Sequence, residues 1–289
     1  MIAPRLALAL AAAVGVAAAT LGQSSPPATT SEPPPRAKTL FFEALQRAPE
    51  RRADAIRALG ANACSSDAAD SDLLLLGLAH LWKAADGSTH GIDRHSNAVI
   101  AEHWLRRARE RDPGDTRIPG WIASARVVIA TDEGRDDDRR AAIDELAKLS
   151  DADPCFHAVP LSIASFSAPR GSAEFTQALK AMNAAFDCGR ERGAGDGPRW
   201  PHNVHGFLVG LADMRLKAGD RAGAEAALTI AEARTGSETW RYRGEIEKRF
   251  AELDERLRRY GNDDPTDDPP YFLGAGGASC LACHAVDPK

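Results

Sequence analysis

From Thr39 to Tyr260 the apolar residues recur at intervals of three and four, β-branched residues are sparse, and apolar and polar positions nowhere alternate for long. That period lines apolar side chains along one stripe of an α-helix, so the spacing predicts an all-α chain, helical almost throughout this span. Short helices are expected over 40–46 and 50–59, with Pro49 suited to a first helical turn and Gly60 to a C-cap. Farther on, Gly219-Asp220-Arg221 separates two helical segments, 206–218 and 222–234, and the second carries Ala224, Leu228 and Ala231 at spacings of four and three. The same spacing recurs at Ala101, Leu105 and Ala108, at Ala142, Leu146 and Leu149, and more weakly at Ala178, Met182 and Ala185. Each set has a candidate partner helix before it, around Leu75-Leu76-Gly77, Trp121 to Ile129, Phe156 to Phe166 and Leu211-Ala212 respectively in chain order. Pro113 and Pro154 each stand five residues beyond the end of their set.

A small-residue helix pair joined by a Gly-Asp turn and repeated along the chain resembles the tetratricopeptide repeat family. The resemblance implies a solenoid of about four antiparallel helix pairs over 39–260, each pair burying its face against the next. The last long helix is expected over 237–260, where Ile246, Phe250, Leu253, Leu257 and Tyr260 form one stripe and Arg and Glu face water. A helix in that position caps the array.

The flanks have a different grammar. Residues 1–22 combine Arg5, an Ala-, Leu-, Val- and Gly-rich run from Leu6 to Ala19, and the small triplet Ala17-Ala18-Ala19 ahead of Gln23, which reads as a secretory signal peptide. An uncleaved anchor is the rival, but the run falls short of the ~20 apolar residues a spanning helix needs. Residues 23–38 hold Pro26, Pro27, Pro33, Pro34 and Pro35 among Ser, Thr and Ala, and read as a linker. Residues 261–279 interleave Asp263, Asp264, Asp267 and Asp268 with Pro265, Pro269 and Pro270 before Gly274, Gly276 and Gly277, a second, acidic linker that cannot be helical. Its apolar triplet Tyr271-Phe272-Leu273 is expected to clip onto the helical body, with shielding of a cofactor edge as the alternative.

Residues 280–289 carry the strongest chemical signal. Cys280-Leu281-Ala282-Cys283-His284 has the Cys-x-x-Cys-His form that accepts covalent c-type haem, the two thiolates forming thioethers and the histidine ligating iron from one face. A redox dithiol would want a βαβ context, and a zinc site would want further Cys or His close by; neither pattern surrounds the motif. The string from Ala278 to Lys289 resembles the opening of class I cytochromes c, which implies one haem c tethered by Cys280 and Cys283 with His284 as proximal ligand. In that family an axial methionine arrives several dozen residues later, and this sequence ends before such a position, so the resemblance carries over neither that fold nor a sixth ligand. It also implies attachment on the far side of a bacterial inner membrane, which agrees with the leader.

The other candidates are softer. His202 and His205 follow Trp200-Pro201 at i and i+3 on one helix face, where either could be the distal iron ligand or a polar helix start. His80, His90, His95 and His103, with Asp93, form a loose candidate metal group. Cys155 and Cys188 bracket one predicted helix pair and could form a disulfide, while Cys64 is left over in a Ser/Asp-rich loop. At 289 residues, 44% hydrophobic and 27% charged, the chain can build a core, and a net charge of −5 gives no reason to expect nucleic acid or an anionic membrane. No nucleophile elbow, phosphate-binding Gly loop or HExxH appears. The expectation is therefore an exported, periplasmic haem protein for one-electron transfer or for docking a periplasmic redox partner, with no membrane span left after cleavage. A non-haem interaction scaffold with a terminal dithiol is the alternative, and a haem-based enzyme or sensor a third reading.

Overall fold

The computed structural model describes residues 37–46, 48–66, 68–86, 89–191, 201–234, 236–240, 242–262, 264 and 266–274. All of them belong to one compact unit, Pro35–Lys289. The leader and most of the first linker lie outside the described residues, as do Cys280, Cys283 and His284. Among the described residues there are eleven α-helices and no strand: α1 (Ala37–Gln46), α2 (Arg52–Ala63), α3 (Asp70–Ala85), α4 (Gly91–Arg111), α5 (Ile118–Asp132), α6 (Asp136–Ala152), α7 (Pro154–Ser165), α8 (Ala173–Glu191), α9 (Pro201–Ala218), α10 (Arg221–Ala233) and α11 (Arg243–Tyr260). None is long and apolar enough to cross a membrane.

The helices pack in chain order, α3 on α4, α5 on α6, α7 on α8 and α9 on α10, and most also touch the next but one. This is the helix-pair solenoid that the repeated spacing predicts. The residues that carried that spacing are its core: Ala101, Leu105 and Ala108 on α4, Ala142 and Leu146 on α6, Ala178, Met182 and Ala185 on α8, and Ala224, Leu228 and Ala231 on α10 are all buried. Leu149 is half-buried, with Ser150 taking the inner position. Small residues matter because they let backbones approach. A Cβ placed on Gly77 of α3 would stand 2.7 Å from Leu105 Cγ, closer than carbon atoms can pack, so α3 and α4 meet only across a glycine.

Two apolar clusters share α5. One joins α1 through α4 to Ile118, Trp121, Ile122 and Ala125. The other joins Ala123 and Val127 to α6 through α11. A helix buried on both sides reads as apolar nearly all round, and the run Ile118 to Ala130 does so.

Local signals set several junctions. Pro154 opens α7, where its missing N–H costs nothing. Asp220 caps α10 by accepting a hydrogen bond from the Gly223 N–H at 2.8 Å. Three expectations shift. Gly60 does not end α2, which runs on to the buried Ala63 despite the ~1 kcal/mol that a mid-helix glycine costs relative to alanine. The last helix does not start at Ser237: a single 3-10 turn, Ser237–Thr239, leads to an extended Trp240 that inserts into the core before α11 begins at Arg243. And α11 does not send all its arginines to water, since Arg249 and Arg256 are buried in the stripe with Ile246, Leu253 and Tyr260.

A disulfide joins Cys155 at the start of α7 to Cys188 near the end of α8, with Cα atoms 5.6 Å apart. Antiparallel packing brings the far ends of that pair together, which is why two cysteines 33 residues apart can meet. Cys64 is free and exposed.

Candidate functional site

The described chain leads toward the Cys-x-x-Cys-His motif through residues 266–274, and these do not hang free. The prolines and glycines do keep the segment non-helical, yet it lies strapped across α7, α9 and α11. Tyr271 and Leu273 are fully buried. The Tyr271 ring stacks on Phe166 with centroids 4.1 Å apart, and its hydroxyl shares a 2.8 Å hydrogen bond with Ser162 Oγ. Leu273 fills a notch over α9 at Gly210, where a Cβ would sit 2.7 Å from Leu273 Cγ. The apolar triplet is thus a packing clip on the helical body.

Polar anchors hold the rest of the strap. Lys217, itself buried, donates 2.7 Å hydrogen bonds to Asp268 and to the Phe166 carbonyl. Arg256 donates to the Pro270 carbonyl at 3.0 Å, and Tyr260 to that of Pro269 at 3.2 Å. At the centre is Asp213 of α9, 1% exposed. Its Oδ1 accepts from Arg249 Nε at 2.8 Å and from Arg256 Nη2 at 3.2 Å. Its Oδ2 accepts from Arg249 Nη2 at 2.9 Å and from the Phe272 backbone N–H at 2.9 Å. One carboxylate therefore fastens two helices and the strap together.

Electrostatics follow from that geometry. Burial works against the charge of Arg249, but the Asp213 and Glu245 carboxylates outweigh it and hold the guanidinium above its ordinary range. Burial, reinforced by the Asp213 charge, pushes the Tyr260 hydroxyl up, so it stays a hydrogen-bond donor. These residues escaped the sequence reading. Their signal was there: Asp213 and Lys217 interrupt the apolar run of α9, and Arg249 and Arg256 sit seven apart on the α11 stripe.

Beside the clasp, Trp240, Tyr242 and Phe272 form a triangle of rings, with centroids 5.7, 5.8 and 5.8 Å apart and edge-on angles of 65, 69 and 79°. The Arg249 guanidinium lies 5.3 Å from the Phe272 ring centre, a cation–π contact. His205 completes the group, 5.4 Å from Trp240. Tyr242 and Phe272 are half-buried, whereas Trp240 is buried and His205 is 1% exposed. His205, buried in this way, is closed off from any incoming iron. His202 lies in the first turn of α9, three residues upstream, and its side chain is outside the described residues.

The looser histidine group does not assemble into a metal centre. His80 Nδ1 is paired with Asn97 at 2.8 Å, burial pushes its imidazole below the usual range, and His95 faces Glu133 at 3.6 Å. Among the described residues no three His, Cys, Asp or Glu side chains converge on a common point. His157 is a core residue whose Nε2 lies 3.1 Å from the Thr116 carbonyl, and burial lowers its pKa as well.

The strap ends at Gly274, six residues before Cys280, beside the Trp240, Tyr242 and Phe272 rings. Compared with protein-family models, with curated proteins and with solved structures, the chain finds no match in any of the three.

Proposed function

We propose that this chain is an exported c-type haem protein in which Cys280 and Cys283 hold the group and His284 is its proximal ligand. When bound, haem c supplies a one-electron redox centre. The helical solenoid is the platform for a periplasmic redox partner, and the strap fastens the chain to that platform as far as Gly274. The observation that carries this reading is the Cys280-Leu281-Ala282-Cys283-His284 motif behind a leader-like N-terminus. Of the two candidate distal ligands, His202 is preferred over His205, because His205 is only 1% exposed.

The test is expression with haem-maturation machinery, followed by denaturing gel separation and a pyridine haemochrome spectrum. Covalent haem is expected in the wild type and is expected to fall to background in Cys280→Ser/Cys283→Ser. A protein that matures without covalent haem would refute the proposal and leave the scaffold with a terminal dithiol. Reduced and oxidised spectra of His202→Ala and His205→Ala then identify the distal ligand.

A further inference from the structure

Helix α4 carries apolar residues on two opposite sides. Ala101, Leu105 and Ala108 are its buried stripe. Across the helix Ile92, Val99 and Ile100 meet water, at 80%, 44% and 38% exposure, with the exposed Ser96 and His103 between and beyond them. Ile92 and Val99 each stand nine residues before a core residue, Ala101 and Ala108, which is two and a half turns at ~3.6 residues per turn. The only other exposed large apolar side chain among the described residues is Ile230. β-Branched residues are poorer helix formers than Lys, Glu or Arg, so helix stability does not account for them on a solvent face. Three along one side mark a contact surface. The two ends of that side differ in charge. At its start Asp93, Asp132 and Glu133 outnumber Arg94, leaving two net negative charges, and over residues 102–111 Arg106, Arg107, Arg109 and Arg111 outnumber Glu102 and Glu110, leaving two positive. The acidic end holds an open hollow lined by Gly91, Ile92, His95, Asp132 and Glu133. There Asp132 lies 3.4 Å from Arg94 and Glu133 3.6 Å from His95, both long for charge-assisted hydrogen bonds. A surface with an apolar middle, an acidic end and a basic end is complementary to itself turned end for end.

We propose that the outer face of α4 is the contact through which two copies of this chain pair, antiparallel about a two-fold axis at Ile100. Ile100 then meets its own counterpart, with Val99 beside it. Asp93 and Arg107 stand seven residues on either side of Ile100 and on the same flank of the helix, so each Asp93 faces the Arg107 of the second copy. The Arg107 guanidinium lies 5.1 Å from the Trp104 ring centre, which holds it along that flank. On the other flank Arg106 of the second copy enters the acidic hollow, and its methylene stem covers Ile92. One helix face buries less than the ~800 Å² per partner of a standard interface, so the pair is weak. The pairing is independent of the haem reading.

The experiment is sedimentation velocity of the full chain from about 1 µM to about 1 mM, a range that brackets weak association. The wild type is expected to form a dimer as concentration rises, and Ile100→Glu, which sets two carboxylates against each other on the axis, to stay monomeric. Asp93→Arg and Arg107→Glu each give their homodimer two like-charge pairs and should weaken it about tenfold or more. An equimolar mixture of those two variants restores both opposite-charge pairs, and its heterodimer should form within about threefold of the wild-type affinity. Mixing cannot rescue a chain that has failed to fold, so the mixture separates a lost contact from a lost structure. A wild type that is monomeric throughout, a dimer that survives Ile100→Glu, or a mixture that associates no better than its parts would each overturn the pairing.

Discussion

Asp213 offers the sharpest perturbation of the fold. Its carboxylate accepts hydrogen bonds from Arg249, from Arg256 and from the Phe272 N–H, and Asp213, Arg249 and Arg256 are each at most 4% exposed. Removing the acid strands two guanidinium groups in a low-dielectric interior. Arg249 keeps Glu245, and Arg256 keeps the Pro270 carbonyl and a longer contact with Glu252, but neither retains a buried counter-charge. Breaking a buried pair from one side costs about 3–5 kcal/mol. Asp213→Ala should fall in that range, while Asp213→Asn, which preserves one acceptor oxygen, should cost less. For a domain of this size each kcal/mol moves Tm by about 2–4 °C, so Asp213→Ala should melt on the order of 10 °C lower. The loss should be spatially selective: proteolysis or hydrogen exchange should open the 266–274 strap well before α3 to α6. A triple Asp213→Leu/Arg249→Met/Arg256→Leu variant, in which no charge is stranded, should recover much of the stability. The reasoning fails if Asp213→Ala melts within about 2 °C of wild type, or if the strap stays as protected as the helices.

Three further outcomes are expected. Reducing Cys155–Cys188 releases a loop of 33 residues, which by chain entropy should lower stability by about 3.5–4 kcal/mol; urea unfolding with and without dithiothreitol measures it, and coincident curves would refute it. Gly210→Ala drives a methyl group into Leu273 and should cost about 1–3 kcal/mol while raising protease cleavage near residue 274, whereas the same change at exposed Gly244, whose Cβ meets nothing, should not. His80 and His157 are held neutral by burial, with pKa values below the ordinary 6.5, so on acidification the unfolded chain takes up protons first and stability should fall as pH drops through about 6.5. Urea midpoints at pH 7.5 and 5.5 check this, and a His157→Gln variant should show a flatter pH dependence than wild type.

The helical architecture was legible because it rests on local periodicity. A stripe of Ala and Leu at four and three demands a partner helix, and repeating it demands the same partner geometry again, so Ala101, Leu105, Ala224 and Leu228 could be assigned to a core without coordinates. The Cys-x-x-Cys-His string was legible for a different reason: it is contiguous, and its pattern lies within five residues. The helix start at Pro154 and the cap at Asp220, which the sequence reading did not assign, rest on equally local rules. Even the disulfide was half visible, because an antiparallel pair brings its outer ends together.

What the chain's own pattern did not reveal was long-range. Asp213, Arg249 and Arg256 look like ordinary helix charges until α9 and α11 are set face to face, and only then does one acid meet two bases across 36 and 43 residues. Residues 266–274 read as a linker in their Asp and Pro content, and only the apolar triplet Tyr271-Phe272-Leu273 argued for docking. Their docking depends on a notch at Gly210, an acceptor at Asp213 and a cation at Lys217, all contributed by a helix about 55 residues upstream. His205 was equally ambiguous in one dimension, and so was Trp240, whose burial no helical period predicted. Periodicity determines which face of each segment is apolar. Which charges are desolvated, and which irregular segments are tied down, depends on partners that only the assembled helices bring within hydrogen-bond reach.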